Sequence, residues 1–464
     1  MSSRWPLLLL PLASTTLLAL APSGCLPSVS TEDGSHHDAG APDGPDQGGG
    51  NCSCGPGVAE HPGALDTTFG AAQTGLARVS FGSDDNGGFY DLDVVGDQIV
   101  AAGQGFGGLG GIAFAVTRLT SSGAVDPGFA MGTLVKTRFG SSSGSSSSAV
   151  AVGHQIDGRI IAMGWHEIPT PADIALQRYG INGSTGDPLF GVSGKSLIDL
   201  GGREQVSDGL VLPNDKILVV GQRDDALMVA RATSDGHLDT SFAAPNGYQL
   251  LNLGEPSSAR SVVVDSQDRI LVLGHTGMDG QRDLVVARYL QDGDPDMTFG
   301  VAGRQIINAP GSDERAAAAA VLSDGRILVA GDSNANGNID FQVRRLLADG
   351  SSDPSFGAGG VATLPISAED DSAEDMVVLP DGKILLVGNV TSGAARGPVV
   401  ARTTCDGKLD PCFGTGGVLS LYVGDFGSIH CAAVYPGHKV VIGGGDEGGS
   451  PGPGTFGIVA RMWM

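Results

Sequence analysis

The sequence has 464 residues, of which 75 are glycine and 5% are aromatic, and its formal net charge is -24. A chain this acidic repels nucleic-acid phosphates, which argues against DNA or RNA as a partner and favours cations or basic proteins. Abundant glycine, few charged residues and no helical periodicity favour an all-β structure with many tight turns.

Residues 1–24 are predicted to be a lipoprotein-type signal peptide, because Arg4 precedes an apolar stretch too short for a comfortable membrane span. The five residues ending at Cys25 resemble a bacterial lipoprotein cleavage box, although Pro22 stands where an aliphatic residue is usual. The resemblance implies that Cys25 is lipidated and anchors the protein in a membrane. Because Leu26 replaces the Asp that often retains lipoproteins at the inner membrane, it further implies the outer membrane or cell surface. An ordinary cleaved signal peptide, and hence a secreted protein, is the alternative.

Residues 25–64 are predicted to be the lipidated cysteine followed by a disordered tether. The segment Thr31–Gly50 is rich in Gly, Asp and Pro and contains neither Lys nor Arg. Such a composition cannot bury enough apolar surface to fold.

A repeated Asp-x-x-Phe motif dominates residues 65–464. Its seven copies begin at Asp66, Asp126, Asp187, Asp239, Asp296, Asp353 and Asp410. Intervals of about 52 to 61 residues indicate stacked structural repeats rather than unrelated domains.

Each repeat contains four short predicted strands, which we name A to D in chain order. Strand A is apolar, as in Val262–Val264, strand B ends in glycine, strand C ends in arginine, and strand D follows the Asp-x-x-Phe turn. Four strands joined by tight turns form an antiparallel meander, and seven meanders arranged radially form a seven-bladed β-propeller. Leu76–Phe81 is predicted to be an N-terminal outer strand that completes the last blade and closes the ring. Ala316–Ala320 has helical propensity, but its position in the repeat predicts strand A.

The arginine that ends strand C lies eight or nine residues before the motif aspartate. The predicted turn pairs are Arg118/Asp126, Arg178/Asp187, Arg231/Asp239, Arg288/Asp296, Arg345/Asp353, Arg402/Asp410 and, across the chain ends, Arg461/Asp66. Charge-assisted hydrogen bonds in these pairs would pin the C–D turns, and each motif Phe would fill the groove between blades.

Three short motifs resemble the delta-60 repeat family of bacterial propeller-type repeats. They are Leu238–Phe242, Asp324–Ile327 and Leu284–Tyr289, and the resemblance extends over residues 65–464. Ala130 and Ala243 depart from the family pattern, which has Gly after the Phe. The resemblance implies the propeller fold but little about function.

The B–C and D–A loops share one face of the predicted ring and vary in length, which favours that face for binding. Its candidate ligand-binding and cation-binding residues are Asp84, Asp85, Asp313, Glu314, Asp332, Asn334, Asn336, Glu369, Asp370, Asp371, Asp446 and Glu447. The run from Asp332 to Gly337 resembles the opening of a calcium loop, so Ca²⁺ is a possible ligand, although Val343 replaces the Glu expected at the twelfth position. A solvated loop is the alternative, and the metal, if any, is unknown.

Cysteine and histidine residues give weaker signals. Cys405 and Cys412 bracket one turn and are a disulfide candidate in an exported protein, whereas Cys431 is expected to be a small buried side chain. His430 and His275 are placed near the channel mouth, but the sequence names no catalytic residue.

Three classes of function remain open. The first is a cell-envelope lipoprotein whose propeller is a binding or scaffold module for a cation, a basic protein or a polysaccharide. The second is a secreted propeller enzyme, a hydrolase or lyase acting on an extracellular polymer. The third is a structural envelope component without a ligand. A pocket with clustered His, Arg and carboxylates would favour the enzyme, and a flat acidic rim would favour binding.

Overall fold

Each sequence repeat folds as one four-stranded antiparallel sheet, and seven such sheets form the blades of a β-propeller. The computed structural model describes residues 62–82, 87–107, 111–140, 144–167, 172–308, 311–392, 395–421, 427–445 and 456–464. The innermost strands of successive blades contact one another in cyclic order, and those of blade 1 and blade 7 also meet. The predicted seven-bladed all-β fold is therefore confirmed.

The strands alternate in direction within each blade, and their order in space follows the chain from the centre outwards. Blade 1 contains β2 (Gly88–Val95), β3 (Gln98–Phe106), β4 (Ile112–Leu119) and β5 (Val135–Thr137). Blade 2 contains β6 (Ser146–His154), β7 (Ile160–Glu167), β8 (Ala172–Tyr179) and β9 (Lys195–Ile198). Blade 3 contains β10 (Glu204–Val211), β11 (Ile217–Arg223), β12 (Ala226–Ala232) and β13 (Tyr248–Leu251). Blade 4 contains β14 (Ser257–Val264), β15 (Ile270–Thr276), β16 (Asp283–Tyr289) and β17 (Arg304–Ile307).

The last three blades follow the same plan. Blade 5 contains β18 (Glu314–Val321), β19 (Ile327–Ser333), β20 (Asp340–Leu346) and β21 (Val361–Leu364). Blade 6 contains β22 (Asp371–Val378), β23 (Ile384–Ser392), β24 (Ala395–Thr403) and β25 (Val418–Ser420). Blade 7 contains β26 (Ser428–Tyr435), β27 (Lys439–Gly445), β28 (Phe456–Trp463) and, as its outer strand, β1 (Leu76–Ser80). A single 3-10 turn at Ala71–Gln73 precedes β1.

Ring closure depends on the pairing of β1 with β28. The two strands are antiparallel, with five residue pairs from Leu76↔Ala460 to Ser80↔Phe456. This pairing confirms the predicted closing strand, and it covers an edge of the last blade that would otherwise present unpaired backbone groups.

The core lies between neighbouring blades rather than within any single one. One hydrophobic cluster, for instance, joins Leu218 and Val229 of blade 3 to Val272 and Val285 of blade 4. The Phe of every Asp-x-x-Phe motif has no exposed surface. Strands B and C are buried on both faces because each blade is packed between two others, so they carry continuous apolar runs.

Two details of the strands differ from the sequence-based expectation. The innermost strands begin earlier than their apolar segments suggest, since β14, for example, starts at Ser257 rather than Val262. The outer strands have only three to five residues. Ala316–Ala320 lies within β18, as the repeat predicts, because inter-blade packing overrides helix propensity there.

The pairing of Cys405 with Cys412 stays a prediction. Cys405 is disulfide-bonded. The carbonyl of Cys405 accepts a hydrogen bond from Arg345 of the neighbouring blade, and the amide of Cys412 donates to Asp410. Cys431 is buried in β26, as expected.

Candidate functional site

One face of the ring, formed by the A–B and C–D turns, carries a repeated arginine–aspartate pair. The distances from arginine Nε to aspartate Oδ2 are 2.7 Å for Arg118–Asp126, 3.0 Å for Arg178–Asp187, 2.7 Å for Arg231–Asp239, 2.7 Å for Arg288–Asp296, 2.7 Å for Arg345–Asp353, 2.9 Å for Arg402–Asp410 and 2.7 Å for Arg461–Asp66. The guanidinium also stacks over the motif Phe, 4.5 Å from the ring centroid at Arg288. Its Nη1 reaches the next blade, as in the bond from Arg461 to the carbonyl of Ser121.

A second side chain, which comes from the A–B turn, contacts most of these aspartates. This contact was not predicted from the sequence. In six blades this side chain is a cation, with N–O distances of 3.5 Å for Arg159–Asp187, 2.9 Å for Lys216–Asp239, 3.8 Å for Arg269–Asp296, 3.7 Å for Arg326–Asp353, 3.4 Å for Lys383–Asp410 and 2.8 Å for Lys439–Asp66. Burial would raise the pKa of Asp66, but hydrogen bonds from Lys439 and Thr68 outweigh it and hold that pKa well below its usual range. On this face, the network ties each C–D turn to its own A–B turn and to the next blade.

The opposite face carries the B–C and D–A loops, and several of its acidic residues are ion-paired across blades. Asp313 of blade 5 receives two hydrogen bonds from the guanidinium of Arg282 in blade 4, at 2.9 and 2.6 Å. Buried Glu314 accepts a bond of 3.0 Å from Arg344 and two more from serine hydroxyls. These carboxylates are therefore satisfied by the fold rather than offered to a ligand.

The loop that resembles the opening of a calcium site is also occupied by internal contacts. Asp332 is 3% exposed and lies 2.6 Å from Nε of Arg315, and burial raises its pKa to about 6 despite that guanidinium. The side-chain oxygen of Asn334 accepts the amide of Asp313, and the Asn336 amide lies 3.4 Å from Asp340. The loop does not present converging oxygen ligands as the sequence pattern suggested, because its oxygens hold the D–A and B–C loops together.

The remaining acidic candidates divide into two sets. Asp370 is exposed, with one oxygen accepting the amide of Ile339, and Asp371 is buried with its oxygens on Ser367 and neighbouring amides. Glu369 is exposed on the same loop. Cys25, Asp84, Asp85, Asp446 and Glu447 lie outside the described residues.

A β-bulge near the start of each innermost strand creates the feature that most resembles a binding site. Each bulge inserts one extra residue opposite strand B. In blade order, the inserted residues are Tyr90, Val150, Ser207, Arg260, Ala317, Glu374 and His430. All seven line one cavity. We call them the bulge ring.

A glycine within strand B, paired with the residue just before the bulge, is the counterpart of the bulge. A Cβ on Gly274 would lie 2.2 Å from the carbonyl oxygen of Ser258, and one on Gly103 would lie 1.9 Å from that of Gly88. Real Cβ atoms do not approach so closely, so the bulged backbone requires glycine at this position in every blade. This repeated glycine is the sequence signal that could have located the bulge ring.

The cavity has a volume of about 360 Å³ and lies at the centre of the ring. Its walls come from the first half of strand A and the last part of strand B, as at Gln104 and Trp165, so it opens towards the B–C and D–A loops. Small wall residues such as Ser207 and Ala317 leave room between the larger side chains. Its size is at the low end of the range for small-molecule sites.

Short contacts with neighbouring side chains hold several polar groups of the cavity in place. The rings of Tyr90 and His430 lie 5.2 Å apart at an angle of 60°. Ser428 Oγ lies 2.9 Å from His430 Nε2, and Ser372 Oγ donates a bond of 3.3 Å to Glu374. Arg260 is exposed. The bulge ring therefore contributes one cation, one carboxylate, one imidazole and one phenol, and Asp91, Asp208 and Asp375 add three further carboxylates to the cavity lining.

Beneath the bulge ring, three aspartates at the following position join one blade to the next. Oδ2 of Asp208 accepts the amide of Val262 at 2.8 Å, and Asp91 and Asp375 accept equivalent amides at 2.7 Å. These side chains position the bulge ring by fixing neighbouring inner strands against each other. These aspartates could not be recognised from the sequence because they occur in only some of the blades.

The two histidines placed near the channel mouth have different environments. His430 lines the cavity, whereas His275 lies in another depression, with Arg282 and Asp279. Nδ1 of His275 is buried without a hydrogen-bond partner, and burial lowers its pKa to about 4, with the charges of Arg282 and Arg260 acting in the same direction. The structure thus assigns only His430 to the cavity.

The family model described as "Domain of unknown function (DUF5122) beta-propeller" matches residues 212–242, 268–299, 322–356 and 379–413. These matches lie in blades 3 to 6 and include strands B and C with the following Asp-x-x-Phe turn. No curated protein matches the sequence significantly.

Solved structures of low sequence identity have a related overall arrangement. A polysaccharide lyase of family PL25, an ulvan lyase, is 8% identical with a TM-score of 0.45, covering 79% of this chain and 93% of that one. Sqt1 from Chaetomium thermophilum is 13% identical with a TM-score of 0.37, covering 84% and 91%. Regucalcin from Agrobacterium tumefaciens is 11% identical with a TM-score of 0.34, covering 66% and 88%. At these values the likenesses say nothing about ligand or activity.

In the described part of the chain, no helix is long and apolar enough to cross a membrane. The matched repeats, the seven four-stranded sheets and the closing strand agree with one another. The chain is a β-propeller repeat protein.

Proposed function

We propose that the protein is a cell-envelope lipoprotein whose propeller binds a glycan in the cavity of the bulge ring. The observation that carries this proposal is that seven equivalent positions hold seven different side chains. Positions that the fold requires, such as the buried Phe and the strand B glycine, repeat from blade to blade. The fold does not dictate the residues of the bulge ring, so their chemistry is available for a ligand.

A sugar unit suits this chemistry. Its hydroxyl groups both donate and accept hydrogen bonds, and the cavity offers donors at Arg260, acceptors at Glu374 and both at Gln104. Its apolar ring face packs on aromatic side chains, for which Tyr90 and Trp165 are placed in the cavity wall. A cavity of about 360 Å³ fits one or two sugar units of a longer chain that continues across the loop face. The internal pairing of Asp313 and Glu314 argues against the acidic rim itself as the main contact for a basic protein.

The test is binding of the full chain to an array of extracellular polysaccharides. We expect a subset to bind, and expect Arg260→Ala and Glu374→Ala each to weaken binding by about tenfold, because a polar pair made in a pocket is worth roughly 1–2 kcal/mol. Arg203→Ala, which removes an exposed arginine outside the cavity, is the matched control. Equal binding by wild type and both cavity variants would contradict the proposal.

A polymer-degrading enzyme is the second candidate, and the observation that favours it is His430 in a cavity with a carboxylate and an arginine. An imidazole exchanges protons near neutral pH and is the commonest general acid or base. Shortening of a bound polysaccharide during incubation with wild type, lost in His430→Ala while binding persists, would support catalysis. Binding without any shortening would favour the binding module.

Envelope anchorage belongs to the same proposal and rests on the sequence around Cys25. We expect the protein to label with radioactive fatty acid in a bacterial host and to fractionate with the outer membrane or cell surface. Cys25→Ser should abolish the label. Release of wild type into the medium without a lipid would instead identify a secreted protein.

A further inference from the structure

Three carboxylates converge at the junction of blades 2 and 3, outside the cavity of the bulge ring. Asp173 lies on β8, Asp199 follows β9, and Glu204 begins β10. One oxygen from each residue lies within 4.8 Å of the others. Among the described residues, no other group of three or more His, Cys, Asp or Glu side chains could hold a metal ion in this way.

Glu204 supplies an independent indication that a ligand belongs here. Its side chain has no exposed surface, and Oε2 is buried without a hydrogen-bond partner. Oε1 accepts the amide of Gly202 at 3.0 Å. The nearest arginine nitrogen, Nε of Arg223, is 3.7 Å away, which is too long for a hydrogen bond. An unsatisfied buried carboxylate oxygen costs several kcal/mol unless a cation compensates it.

Arg223 is held in that position by other contacts. Its Nη1 donates to the hydroxyl of Tyr248 at 3.1 Å, and its Nη2 donates to the carbonyl of Gly201 at 3.1 Å. The guanidinium also packs 5.7 Å from the Tyr248 ring centroid. Arg223 approaches only Glu204 of the three, at 3.7 Å, so the cluster of three carboxylates keeps an excess of negative charge.

Equivalent positions in other blades show how the repeat satisfies an acidic residue without a metal. Glu314 starts β18 as Glu204 starts β10, and its oxygens are bonded to Arg344 and to the hydroxyls of Ser312 and Ser333. Asp371 starts β22, and its oxygens accept bonds from Ser367. Around Glu204, the carboxylates of Asp173 and Asp199 stand where Glu314 and Asp371 have these hydrogen-bond donors.

The geometry suits a calcium ion. Oxygen ligands of Ca²⁺ lie at about 2.3–2.6 Å, so two oxygens on one ion are at most about 5 Å apart, which the cluster satisfies. Asp199 is exposed, so an ion could reach the cluster from solvent. Asp173 is half-buried, and Glu204 is buried at the inner end of the cluster. Three carboxylate oxygens within 4.8 Å of one another repel each other when ionised, and a cation between them would relieve that repulsion.

We propose that Asp173, Asp199 and Glu204 form a calcium site that joins blade 2 to blade 3. The ion would compensate the buried Glu204 oxygen and link β8 to the start of β10. This site is independent of glycan binding in the bulge ring, and it is not the loop at Asp332, where the sequence pattern made Ca²⁺ only a possible ligand.

Isothermal titration of the full, metal-free chain with CaCl₂ tests the site. We expect one site in wild type and, because one of three carboxylates is lost, at least about tenfold weaker binding in Asp199→Asn. Asp199 is exposed, so this variant should fold. Asp279→Asn, which removes a carboxylate that is 97% exposed in another loop, is the matched control and should bind as wild type does.

A second readout is thermal unfolding with calcium and with a chelator. Binding to the folded state alone raises stability by about 2.7 kcal/mol at a hundredfold excess over the dissociation constant, so calcium should raise the Tm of wild type but not of Asp199→Asn. No calcium binding by wild type would overturn the proposal. Equal affinity in wild type and Asp199→Asn would overturn it as well, because the ion would then lie elsewhere.

Discussion

At the scale of single residues, His275 is a buried group whose titration makes stability depend on pH. Its Nδ1 is buried without a partner, and its pKa is lowered to about 4, first by burial and then by Arg282 and Arg260. The folded state therefore holds the neutral imidazole, whereas the unfolded chain binds a proton near pH 6.5. Between these two values the unfolded state binds more protons, so stability falls as pH decreases from about 6.5 to about 4.

Replacing His275 with Gln removes the titrating group, so the free energy of unfolding should fall less steeply over that pH range than in wild type. Urea unfolding at a series of pH values measures both slopes. His237→Gln is the control, since its side chain is 69% exposed, and it should retain the wild-type slope. Identical slopes for wild type and His275→Gln would show that His275 does not carry this acid sensitivity.

The sequence predicted a contact between two side chains well where both residues recur at a fixed spacing along the chain. Arg288 and Asp296 are eight positions apart in one turn, so their 2.7 Å contact follows from local geometry. Asp313 and Arg282 belong to different blades and have no repeated spacing. The sequence therefore could not distinguish an ion-paired Asp313 from one available to a ligand. Glu204 was missed for the same reason, because its two neighbours, Asp173 and Asp199, lie in other segments of the chain without a repeated spacing.

At the scale of elements, the bulged inner strand is the part that couples blades around the channel. Asp208 follows the bulge of β10 and accepts the amide of Gly209 in its own strand and of Val262 in β14. Replacing Asp208 with Ala would leave the Val262 amide buried without that acceptor, at a cost of about 1–3 kcal/mol. Urea unfolding should detect the loss.

An exposed residue offers the matched control for this change. Asp225→Ala, in the turn between β11 and β12, should alter stability by less than about 0.5 kcal/mol. If Asp208→Ala were no more destabilising than Asp225→Ala, the inter-blade hydrogen bond would contribute nothing measurable.

The length of the inner strands shows what an apolar pattern can and cannot predict. Val262–Val264 faces the apolar space between blades and was recognised as a strand. The segment from Ser257 to Ser261 is polar because it borders the channel and the loop face, so hydropathy alone did not extend the strand. The bulge ring stayed hidden because its residues differ in every blade. Only the opposing glycine, such as Gly274, repeats.

At the scale of the whole molecule, residues from opposite ends of the propeller sequence meet and close the ring. β1 and β28 are separated by almost the entire propeller, and the entropic cost of joining them grows only slowly with that length. Contacts in blade 7 must offset this cost. The chain uses the same arginine–aspartate pair that pins every other C–D turn, here between Arg461 and Asp66, at 2.7 Å. The sevenfold spacing made this closure predictable from sequence, since an unpaired first aspartate and last arginine remained.

Two equivalent substitutions separate the effect of closure from that of the ion pair itself. Arg461 and Arg231 are 4% and 5% exposed, and each makes the same contact with its aspartate. Breaking either buried pair by mutation to Ala should cost about 3–5 kcal/mol in the free energy of unfolding. Only Arg461→Ala removes a link between the chain ends, so only this variant should lose hydrogen-exchange protection at the amides of β1. Arg231→Ala should leave β1 protected because the ends remain joined by Asp66 and Arg461. Unchanged protection of β1 in Arg461→Ala would mean that strand pairing and the buried Phe69 hold the ring closed without the ion pair.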